Sequence, residues 1–184
     1  MARINAEFEE FDRQLRQAEA ELRANPYHPD PRDNPGIEAA LQAAPPEAWH
    51  RLWSAVDEVL AESEEQRGTW RFENPDGSLC MPHVHYSAAI GRMIGALHAV
   101  EAIVDFPYRK WALGSVYPQG AGLATAPVAD AARVVTAVVC AERFCDGTIL
   151  AALGNGTLPA ALNRLRAWYD QLNPMDAAEP ERPA

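Results

Sequence analysis

The chain has 184 residues, 48% of them hydrophobic, which is enough for one substantial core. It holds no run of about 18 apolar residues, so no membrane span is expected. Its net charge is −10, with 17 acids against 8 bases over residues 1–77 and 5 against 7 over residues 78–169. That layout argues against direct nucleic-acid binding, whose affinity comes largely from Lys and Arg neutralising phosphates.

The opening residues lack the basic-then-apolar pattern of a secretion signal. Cys80, Cys140 and Cys145 form no CxxC pair and fit free thiols in a reducing compartment, so a cytoplasmic protein is expected. The organisation expected is an amphipathic helix and loop over residues 1–30, a single helical domain over 31–172 and a disordered acidic tail over 173–184.

Over residues 3–24, Ile4, Phe8, Phe11, Leu15, Ala18 and Leu22 follow a 4-3-4-3-4 spacing that makes one narrow apolar seam. Docking on the body of the protein is the simpler use of that seam, and pairing with another copy the alternative; Phe8, Phe11, Leu15 and Leu22 are its candidate contact residues. Residues 25–36 are a proline-rich loop. Helices are predicted over 37–44 and 47–66, the second turning Trp49, Leu52, Trp53, Val56, Val59 and Leu60 to one apolar face.

Thr69–Phe72 and Leu79–Met81 flank Asn74-Pro75-Asp76-Gly77, which predicts a hairpin lying on the helices. Ser87 is expected to cap a helix running to about Val104. The centre of the chain is residues 128–153, read as two apolar helices joined at Arg143-Phe144-Cys145-Asp146-Gly147. Val134, Val135, Val138 and Val139 are to be buried from more than one side. Asp146 is the predicted N-cap of the second helix, with Arg143 as its ion partner. Gly154-Asn155-Gly156 ends that helix and Thr157 caps the last one. The fold expected is mainly α, a compact bundle of five or six helices with a small β-hairpin at the edge.

Pro82-to-Ser87 opening a helix, Asp105-Phe106 with Trp111, and Ala141-Glu142-Arg143-Phe144-Cys145-Asp146-Gly147 before Leu150-Ala151-Ala152-Leu153 resemble an uncharacterised bacterial and archaeal domain family of unknown function. The resemblance covers roughly residues 46–170 and implies one mostly helical domain, with no activity to carry over. The family's pattern has an acidic residue where His85 stands, so a role for His83 and His85 would be private to this chain.

His83 and His85 sit i, i+2 on an extended segment and share a face, which could hold a metal with Cys80, His98, Glu101 or Asp105. Solvent-facing or capping histidines are the preferred reading, and no metal site is expected. Cys145 beside Arg143 at a helix start could be an activated thiolate, but a buried, space-filling cysteine is preferred. Arg143 and Asp146 are read first as a structural pair, and second as part of a carboxylate or anion pocket with Tyr86 and Trp111.

No GxSxG, GxxxxGK[ST] or GxGxxG is present, and no cofactor is implied. The leading expectation is a non-enzymatic interaction or regulatory protein, of the kind found at mobile or defence-related loci, whose acidic helical surface meets another protein or a second copy of itself. The alternatives are a small enzyme or ligand-binding domain with a pocket near Arg143, and an acidic nucleic-acid mimic.

Overall fold

The computed structural model describes residues 27–174 and, before them, positions 13, 16, 17, 20 and 24. Those five positions are helical and exposed. The seam residues Phe8, Phe11, Leu15 and Leu22 lie outside the described residues, as does the tail from residue 175 onward.

The described chain runs α1 (Asn34–Ala43), α2 (Pro46–Ala61), a single turn α3 (Glu64–Arg67), β1 (Gly68–Glu73), β2 (Leu79–Tyr86) and α4 (Ala88–Ala99). A turn α5 (Leu113–Val116), then α6 (Val128–Ala141), α7 (Thr148–Gly154) and α8 (Thr157–Leu172) complete it. This is a mainly α fold with a small antiparallel hairpin, as the sequence predicts. Among the described residues no helix is long and apolar enough to cross a membrane.

Helix α6 is the centre. Every residue from 131 to 138 is buried, which a helix apolar on all sides requires. It packs along α8 and touches α1 and α7, while α2 and α4 form the other close pair. Trp49, fully buried on α2, ties the two pairs together by stacking on Tyr169 of α8, ring centroids 5.0 Å apart. Trp53 is only half-buried; its outer face carries the Arg166 guanidinium, 4.9 Å from the ring centroid.

Several predicted boundaries move, each for a local reason. The helix expected over 47–66 breaks after Ala61, because Ser63 and Gln66 form a capping box that starts a new turn. The helix from Ser87 stops at Ala99 rather than near Val104. Glu101 takes a left-handed φ of 57°, yet Val100 and Ala102 stay fully buried across the turn. The apolar periodicity therefore outlives the helix. Thr136 fixes this turn by accepting the Val104 N–H at 2.9 Å.

The hairpin lies on the helices only at its base. Val84 is buried there, and Gly68 sits where an added Cβ would come within 3.1 Å of Leu150. Farther out the strands stand clear of the body. Phe72, Leu79 and Met81 are 57%, 83% and 85% exposed.

Candidate functional site

The junction between α6 and α7 is built differently from the expectation. Asp146 caps nothing: it is exposed, and Gly147 holds the N-cap position of α7 with φ 87°. The capping carboxylate is Glu142, at the C-terminal end of α6. It accepts the Gly147 N–H at 2.8 Å and the Ile149 N–H at 2.9 Å. Arg143 is exposed and forms no ion pair with Asp146. A chain reversal this tight leaves positions 143–146 on the outer rim of the loop, where side chains point to water. Cys145 is exposed as well, correcting its reading as a buried space-filler. Arg143 acts instead on Cys140, whose thiol pKa burial pushes up while the guanidinium pulls it back. The last helix is likewise capped by Asn155 and not Thr157: Asn155 Oδ1 accepts the Thr157 N–H at 3.0 Å.

Tyr86 and Trp111, expected beside Arg143, fall into separate neighbourhoods. Tyr86 ends β2 at the junction, half-buried, with no hydrogen-bond partner for its hydroxyl. Burial first, and the nearby Glu142 carboxylate second, raise its pKa. Trp111, on the segment that links α4 to α5, is buried edge-on to Phe106 and Tyr117 with centroids 5.5 and 6.1 Å away.

His83 and His85 do share the outer face of β2. With Arg71, Glu73, Asn74 and Pro75 they line an open depression of about 580 Å³. His83 Nδ1 lies 3.1 Å from the Met81 carbonyl oxygen and 3.8 Å from Cys80 Sγ. Among the described residues no group of three or more His, Cys, Asp or Glu is placed to hold a metal ion.

Two other places gather chemistry. Beside the junction an apolar groove of about 410 Å³ is lined by Leu113, Val138, Ala141, Phe144 and Cys145, with Arg109 lying 3.6 Å from the centroid of the Phe144 ring. The second is a cavity of about 570 Å³ between the start of α1, the turn after α4 and the buried side of α6. It is lined by Tyr27, Asp33, Ile37, Asp105, Phe106, Pro107 and Arg133.

Arg133 is 2% exposed, the one charge enclosed in the core among the described residues. Its Nη1 donates to Asp130 Oδ1 at 2.8 Å and to Asn34 Oδ1 at 2.7 Å, and Asp130 Oδ2 accepts the Tyr117 hydroxyl at 2.6 Å. The Arg133 Nε has no partner. The sequence carries a signal for this residue: a lone arginine inside an apolar helix, three positions after an aspartate.

A family model described as a family of unknown function, DUF6508, matches residues 44–171. The chain belongs to this family. The DUF6508 span holds the hairpin, the junction, the apolar groove and Arg133, and leaves out Tyr27, Asp33 and Ile37. No curated protein and no solved structure matches the chain.

Proposed function

We propose that this chain is a protein-interaction protein rather than an enzyme, and that its first partner is a second copy of itself. The observation that carries the reading is the outer hairpin, where Phe72, Leu79 and Met81 stand 57%, 83% and 85% exposed. Leu79 and Met81 share the face of β2 that carries His83 and His85, Phe72 stands on the other face, and large apolar side chains left in the open are a marker of contact surfaces. An isolated hairpin is also marginal in water, so docking would stabilise the strands that present them.

A second copy is favoured because one chain carries both halves of a contact. The hairpin is an apolar projection with Glu73 and Asp76 near its tip. The groove at Phe144 is an apolar recess with Arg109 in its lining and Lys110 and Arg143 exposed nearby in the chain. Acids at the tip of the projection and bases around the recess are opposite in sign, and such complementarity fixes register and speeds encounter. The acidic front segment ends in the turn of this hairpin, and the near-neutral rear segment supplies β2 and the groove. A two-fold dimer would make this contact twice.

The test is light scattering on the eluting peak of full-length protein, compared with Leu79→Asp/Met81→Asp and with Phe144→Asp. Each change is at an exposed position, so circular dichroism should be unaltered. The expected result is a dimer for the unmodified chain and a monomer for both variants. A monomeric unmodified protein, or a dimer that survives both variants, overturns the proposal.

A further inference from the structure

We infer that the cavity over Arg133 is a binding site for a small zwitterion bearing a carboxylate and an ammonium, in the manner of a free amino acid. The argument begins with the arginine. A guanidinium carries five N–H donors, and burying them without partners is costly. Arg133 spends Nη1 on Asp130 and Asn34; its Nε is enclosed and donates to nothing, and Nη2, on the same edge, makes no hydrogen bond and is not enclosed. The Nε side of a guanidinium is one of the edges that grips a carboxylate through two parallel N–H···O bonds. The same residue lines a cavity large enough for a ligand of amino-acid size.

Charge then narrows the ligand. Asp130 already neutralises Arg133, and Asp33 and Asp105, both exposed, add two carboxylates at the cavity's edge without pairing with it. Negative charge thus exceeds positive charge around the space, so a simple anion would be repelled. A ligand that also brings a cation meets favourable ground. It finds the two rim carboxylates, and the Tyr27 and Phe106 rings 6.3 Å apart, whose faces attract ammonium groups. Carboxylate inward and ammonium at the rim places each charge of the ligand beside groups of the opposite sign.

This site does not depend on self-association and is tested separately, on the full chain. Each of the proteinogenic amino acids is titrated calorimetrically at concentrations up to about 10 mM, a range that reaches weak millimolar binding. Acetate and ethylamine serve as probes of the two charges alone. The expected result is saturable binding by at least one amino acid, with acetate and ethylamine at least tenfold weaker. Arg133→Lys, which keeps the charge and loses Nε, should weaken binding by about tenfold or more.

Because Arg133 is buried, that variant can fail to fold. Asp105→Asn at the exposed rim is the second variant, expected to weaken the amino acid about three- to fivefold while acetate binds no more weakly than before. In protein labelled with ¹⁵N-arginine, the Nε–H resonance of Arg133 should shift on saturation. Absence of binding by all the amino acids, acetate binding as tightly as they do, or an Arg133 Nε–H resonance unmoved at saturation would each overturn the inference.

Discussion

Glu142 caps the helix that follows it: at the end of α6, its carboxylate holds the Gly147 N–H at 2.8 Å and the Ile149 N–H at 2.9 Å. One side chain therefore closes the loop at the centre of the fold and supplies the acceptor for two amides that would otherwise lack one. Glu142→Ala should destabilise the protein by about 1–2 kcal/mol. Asp146→Ala, the change that the sequence would have singled out, should stay within about 0.5 kcal/mol. Urea unfolding of both variants checks the contrast, and an equal loss in the two would contradict the geometry.

The same junction depends on a glycine. Gly147 has φ 87°, and a Cβ built there would stand 2.8 Å from Trp70 Cζ2 at the base of the hairpin. Gly77, in the hairpin turn, has a similar φ of 81° but open space around it. Gly77→Ala thus measures the cost of the left-handed backbone alone, about 1–2 kcal/mol. Gly147→Ala should cost more, because the Trp70 ring must also move, and its tryptophan fluorescence should shift where that of Gly77→Ala does not.

What the sequence made legible followed from pattern strength. The buried α6, the Trp49 face of α2 and the Asn74–Gly77 turn rest on periodicity or on residues with few alternatives, and these the structure keeps. Caps were read less well, because Asp146 and Thr157 stand next to the helix starts while Glu142 reaches its amides from the other side of a loop. Proximity along the chain favoured the wrong acceptor. The candidate site suffered most. Arg143 drew attention as a charge beside a packed junction, but a tight reversal turns such positions outward, whereas Arg133 within the helix had nowhere to go but inward. Its partner Asn34 lies 99 residues away, a distance at which spacing carries no information.

The Arg133 network yields a prediction of its own. Asp130 is its ion partner at 2.8 Å and is mostly enclosed. Removing one member of a buried pair leaves an uncompensated charge, so Asp130→Ala should cost about 3–5 kcal/mol. Replacing both, as Asp130→Leu with Arg133→Met, should cost less than Asp130→Ala, since no charge remains to be buried. A double variant less stable than Asp130→Ala would mean that the network stabilises through geometry that apolar side chains cannot replace. Thermal and urea denaturation of the pair decide between these.

Stability should also fall on the alkaline side in a way traceable to two phenols. Tyr117 and Tyr86 both have pKa values raised above the ordinary 10.0, each chiefly by burial, with Asp130 adding to the rise at Tyr117 and Glu142 at Tyr86. Below pH 10 these phenols are protonated folded or unfolded, and their contribution is fully present. Above it the unfolded chain loses the protons first, so unfolding is favoured as the pH climbs toward the folded-state values. Melting temperatures between about pH 8 and pH 12 should therefore drop, and drop less steeply in Tyr86→Phe and Tyr117→Phe. The two variants should part company at neutral pH. Tyr117→Phe forfeits its 2.6 Å hydrogen bond to Asp130 and should lose about 1 kcal/mol. The Tyr86 hydroxyl has no partner to lose, so Tyr86→Phe should be neutral or slightly stabilising. If both variants lose stability equally at pH 7 and keep the full alkaline slope, burial of these phenols is not what sets the alkaline limit.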